Sequence, residues 1–245
     1  MFRTGNPALK ESTFKGARAA FGEEAMTLQG TVNKTGVSLL ILLAAASFTW
    51  QQVTRSEPVS PLLWLGLFGG LVVALVTCFK PAWAPVTTPL YAALEGLFLG
   101  GVSGLYELRY PGIVMNAVGL TFGCLAALLA AYSSGLIRPS ENFKLGIVAA
   151  TGGVAILYVV SMGLGFFGKS IPFIHGSGTI GIAFSVFVVA LAAMNLVLDF
   201  DFIEDGARHG APKYMEWYGA FGLLVTLVWL YLEILRLLSK LQNRK

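Results

Sequence analysis

Seven apolar runs of membrane-crossing length follow one another along this chain, and that number fixes most of what it can fold into. A run needs about 20 mostly apolar residues to cross the hydrocarbon core of a bilayer. The runs read approximately Gly36–Trp50 (with a start nearer Val32 to reach full length), Pro61–Phe79, Thr88–Leu105, Gly112–Tyr132, Leu145–Phe167, Thr179–Phe202 and Trp217–Leu238. No soluble core built from 245 residues covers seven of them. Each must be a helix, because an unpaired strand leaves its backbone groups unsatisfied in lipid. The expected fold is therefore an all-α polytopic membrane protein with seven transmembrane helices. It comprises a polar N-terminal extension at 1–35, a membrane domain at 36–238 and a basic tail at 239–245.

Composition supports the same class. Only 12% of the residues are charged, against about 25% in a soluble domain. The net charge of +4 is spread over loops and ends, with no dense basic run, so nucleic acid is excluded as a partner. Cys78 and Cys124 lie in separate apolar runs and read as small buried hydrophobes. Met1–Lys34 mixes acidic and basic residues without a continuous apolar core. It does not read as a signal peptide, and helix is expected within it from Ser12 to Ala25. Positive charge near the spans is almost balanced between the two faces, with a lean toward an N-terminus on the inner side.

Three runs hold carboxylates: Glu95, Asp199 and Glu233. An acid at the centre of a span costs roughly 2.5–3.5 kcal/mol on insertion scales, so such residues are candidates for handling a cation or a proton. Glu95 precedes Gly96, Gly100 and Gly104, which recur every fourth residue and share one helix face. Small residues at that spacing let helices approach closely, and Glu95 points roughly 140° away from the seam they form. Asn195 and Asp199 are likewise one turn apart and stack on one face. Asp201 points about 200° away from Asp199, toward the interface, with Glu204 and Asp205 beyond it in the most charged loop, Glu204–Glu216. Glu233 and Arg236 are spaced to pair with each other.

Other chemistries find little support. Gly101-Val102-Ser103-Gly104 resembles the nucleophile motif of rhomboid proteases, but that chemistry needs a histidine at matching depth. His175 and His209 both sit in loops. There is no His-Glu-x-x-His, Cys-x-x-Cys or phosphate-binding glycine loop. No enzyme and no bound cofactor are expected. A calcium site of oxygens is compatible with the acids, with Asp199 as its candidate ligand.

The closing spans carry a resemblance. Leu198-Asp199-Phe200-Asp201-Phe202-Ile203 and Leu230-Tyr231-Leu232-Glu233-Ile234-Leu235-Arg236 resemble the signature of the Bax inhibitor-1-like family. Met26-Thr27-Leu28-Gln29-Gly30-Thr31-Val32-Asn33-Lys34 is similar to the same region of bacterial members. The resemblance implies a seven-helix protein of a bacterial cytoplasmic membrane, with calcium as the permeant ion of a pH-dependent leak. It also implies that two acids, one in helix six and one in helix seven, share a proton and hold the path shut. Two close carboxylates cannot both ionise cheaply, which is the physical basis of such a gate.

The helix-six acid corresponds to Asp199. The helix-seven position, registered on Leu235-Arg236, falls near Thr226, which is not acidic. Glu216, Glu95 and Glu233 are left as candidate partners. Glu233 lies roughly 24 Å along helix seven, and Asp199 about 7 Å from the loop joining helices six and seven. A proton-coupled transporter using the same acids is the first alternative. A non-transporting membrane regulator of stress or proteolysis is the second.

Overall fold

The computed structural model describes residues 24–168, 174 and 176–244. Seven long helices run through them: α1 (Leu28–Thr54), α2 (Ser60–Phe79), α3 (Ala84–Arg109), α4 (Ile113–Ser133), α5 (Glu141–Phe166), α6 (Thr179–Arg208) and α7 (Met215–Gln242). A short 3-10 turn, Pro81–Trp83, links α2 to α3. Six of the helices are long and apolar enough to cross a membrane; α3 is the exception. Of the helix expected from Ser12 to Ala25, the part from Ser12 to Glu23 lies outside the described residues, and Glu24 and Ala25 are not helical.

Several helices outrun their apolar stretches, and local chemistry explains where they stop. α1 starts at Leu28, about two turns before the expected Gly36, because Thr27 caps it: its hydroxyl accepts from the Gly30 amide at 2.9 Å. α5 starts at Glu141 rather than Leu145, with the Ser140 hydroxyl capping the Phe143 amide. α6 is the clearest correction. The stretch from Glu204 reads as a charged loop, yet the helix continues to Arg208. Glu204 pairs with Arg208 one turn on, and Asp205 with His209 at 3.3 Å. Such i,i+4 pairs stabilise helix ends, and Arg208 suits the negative end of the helix dipole. Asp199 therefore sits about 14 Å from the end of α6, twice the expected depth.

The chain divides into two compact units. One contains the described residues up to Pro111 together with Asp201–Val225. Here α3 packs against both α1 and α2, and glycine decides how closely. A Cβ added at Gly96 would collide with Leu42 O of α1, one at Gly100 with Ala46 O and Thr49 Oγ1, and one at Gly104 would lie 2.8 Å from Val53 Cβ. The expected glycine seam is thus the α1–α3 contact. On another side of α3, a Cβ at Gly66 of α2 would fall 2.6 Å from Leu94 O. A helix enclosed by two neighbours presents little surface to lipid. That accounts for the low hydropathy of α3, which spends its sequence on Gly, Ser and Thr.

The other unit contains Gly112–Phe200 and the chain from Thr226 onward. Its core is built by Val154 of α5 with Val188 and Leu191 of α6, flanked by Tyr158, Phe184 and Trp229. Asn195, 1% exposed, crosses from α6 to α5 by donating to Thr151 Oγ1 at 2.9 Å. Cys124 and Cys78 are half-buried rather than core residues.

Candidate carboxylate site

The sequence offers six residues for a gating or ion-binding site, and the two units distribute them. Asp199 is fully buried, at 0% exposure. It is surrounded in its own helix by buried Leu196, Val197, Leu198 and Phe200. Asn195, one turn earlier, spends its amide donors on Thr151 Oγ1 and Leu191 O, both at 2.9 Å. Its Oδ1 meets no donor among the described residues. Asp201 is half-buried further along α6.

Glu216 opens α7 and is also fully buried, but its charge is committed. Its Oε1 accepts from the Thr27 amide at 2.9 Å and from the Thr27 hydroxyl at 2.8 Å. Its Oε2 takes the Lys34 ammonium, and Lys213 adds a second cation at 3.3 Å. Hydrogen bonding to Glu216 holds the Lys213 ammonium above its usual range. That raised value means the lysine stays charged through neutral pH, so on the alkaline side the contact is lost as the lysine deprotonates. Gly30 lies directly against the carboxyl, where a Cβ would overlap it. The Met26–Lys34 run thereby gains a physical role, since it wraps the Glu216 carboxylate. Beside it, the Met26 amide donates to Ala211 O at 2.7 Å.

Glu233 stands about 27 Å along α7, is 2% exposed, and is likewise committed. It accepts from the Tyr158 hydroxyl at 2.9 Å and pairs with Arg236 at 3.0 Å. Arg236 also donates to the Tyr158 oxygen at 2.7 Å, closing a three-membered network. Glu95 is half-buried midway along α3, where a Cβ at Gly70 of α2 would sit 3.0 Å from its Oε2. No cation lies within ion-pair distance of Glu95 among the described residues. Ser103 is buried at 6% exposure. His209 is exposed at the end of α6, and His175 lies outside the described residues. Among the described residues no group of three or more His, Cys, Asp or Glu side chains converges as a metal cradle would, at Asp199 or elsewhere.

Sequence reasoning missed the partners of Glu216. Thr27 and Lys34 were visible only as part of a family-like run, and the contact spans 182 residues of chain from Lys34. Lys240, within the expected basic tail at 239–245, is buried.

Apolar helices of spanning length, carrying acids buried in their interiors, define an integral membrane protein of the helical class. The chain belongs to the Bax inhibitor 1 like family, whose model matches residues 6–243, nearly its whole length. No curated protein and no solved structure matches it.

Proposed function

We propose that the protein is a pH-sensitive cation leak, with calcium as its permeant ion, gated by protonation of Asp199. The observation that carries this reading is the complete burial of Asp199 in an apolar stretch of α6. Burial of that kind opposes ionisation and couples a charge change to helix packing. Asn195 supports it, because its Oδ1 awaits a donor on the same face one turn away. A protonated Asp199 has such a donor and an ionised one does not. The neutral form holds the closed state, and ionisation loosens it, so flux rises with pH.

Glu216 and Glu233 are compensated by Lys34 and Arg236 within their own units. Glu95, Glu216 and Glu233 are the acids to test as the partner that shares the proton. The true partner is the one whose Gln variant is non-additive with Asp199→Asn in a double-mutant cycle.

In this reading α3 is the seventh span. Its 26 residues extend about 39 Å, enough to cross the bilayer. Cation–aromatic pairs bracket it: Lys80 over Trp83 at 4.4 Å and Arg109 over Tyr110 at 5.5 Å. Amphipathic aromatics of this kind anchor helices at the interface. Seven spans put the termini on opposite faces. Reporter fusions at the two ends are expected to land in different compartments, and fusions landing together remove α3 from the count. The location in keeping with this reading is a bacterial cytoplasmic membrane, and no catalysis is assigned.

The test is calcium flux into liposomes carrying the purified protein, across a pH series and without an imposed proton gradient. The leak predicts flux that increases with pH. Flux that appears only with a proton gradient identifies a proton-coupled transporter. No flux under either condition leaves a non-transporting regulator of stress or proteolysis.

A further inference from the structure

Near the end of α7 a lysine is buried against neutral oxygens alone. Lys240 is 4% exposed. Its ammonium donates to Ile174 O at 2.7 Å, Ser185 Oγ at 2.8 Å and Gly181 O at 3.0 Å. An ammonium has three donors, so these bonds saturate it. Ile174 and Ser185 are each 1% exposed. No carboxylate lies within ion-pair distance of Lys240 among the described residues. Glu233, two turns earlier, is taken by Arg236 and Tyr158.

A charge withdrawn from water is stable only where other groups replace its hydration. Here two carbonyls and a hydroxyl do so, as rings of carbonyls do for a dehydrated cation. Gly181 and Ser185 are one turn apart and present their oxygens on one face of α6. The positive end of the α6 dipole does not favour a cation there, so the oxygens themselves are the attraction.

We propose that these three oxygens form a cradle for a small monovalent cation, of the size and hydrogen-bonding capacity of a primary ammonium, and that Lys240 is its tethered occupant. While the lysine is in place, the cradle is closed to free cations. This inference stands independently of Asp199 and of any flux.

The test is chemical rescue of the full-length protein in detergent, read as the thermal unfolding midpoint in methylammonium chloride and in choline chloride at equal ionic strength. Lys240→Ala is expected to lower the midpoint by about 5 °C in choline and to recover it, saturably, in methylammonium. Wild type should not distinguish the two salts. Lys240→Met, whose chain fills the space, should not be rescued, and adding Ser185→Ala to Lys240→Ala should weaken the rescue. If Lys240→Ala folds only when prepared in methylammonium, that too is the expected result. Equal midpoints of Lys240→Ala in both salts, equal rescue of wild type, or failure to fold in either salt overturns the proposal.

Discussion

Gly100→Ala is expected to destabilise the protein by about 3 kcal/mol, although alanine is the better helix former by about 1 kcal/mol. The added methyl meets Ala46 O and Thr49 Oγ1 of α1. Ala46 O belongs to helical backbone and cannot rotate away, so α1 and α3 must separate along the seam. Overpacking of this kind costs about 1–3 kcal/mol, and contact with a fixed backbone places Gly100 at the top of that range. Gly119 in α4 supplies the internal control, because a Cβ there meets nothing within 4 Å. Gly119→Ala should leave the unfolding midpoint unchanged or slightly higher, whereas Gly100→Ala lowers it by about 10 °C. Equal midpoints for the two variants would show that the seam does not hold α1 to α3.

Glu216→Gln should be comparably damaging despite its near-identical shape. The two carboxylate oxygens face opposite demands met by one charge. Oε1 serves the amide and hydroxyl of Thr27, while Oε2 serves Lys34. An amide satisfies one side and sets its own N–H₂ against donors on the other. Removing one partner of a buried ion pair costs about 3–5 kcal/mol. The Lys34 side chain keeps 19% exposure and Lys213 keeps 44%, so water relieves part of this and about 3 kcal/mol is expected. Lys34→Met combined with Glu216→Gln should destabilise less than the sum of the single changes. A midpoint unaffected by Glu216→Gln would mean that the pair contributes nothing to anchoring α1.

What could be read from the sequence follows the range of each interaction. Helix identity follows the apolar runs, which marked six helices of spanning length and, more weakly, α3. The α3 seam was legible because Gly96, Gly100 and Gly104 repeat with the period of a helix face. Helix ends were not, because caps and i,i+4 pairs such as Thr27–Gly30 and Glu204–Arg208 extend helices through polar sequence. The site was half legible. Asn195 and Asp199 are one turn apart on α6, so their shared face was legible, and both are buried. Glu233 was seen beside Arg236 but not beside Tyr158, 75 residues away. Glu216 was legible as an acid but its contact with Lys34 was not, because nothing local announces it. Lys240 looked like tail charge because its three acceptors lie on other segments.

The proposed gating by Asp199 is tested most directly by one comparison: calcium flux from pH 5 to pH 8 in liposomes bearing wild type or Asp199→Asn. Asparagine keeps the side-chain shape and cannot ionise, so it imitates the closed, protonated state. Wild-type flux should rise with pH, and Asp199→Asn flux should stay low and flat across the series. A variant whose flux and pH profile match wild type would contradict the account, leaving Asp199 a buried acid with no part in gating.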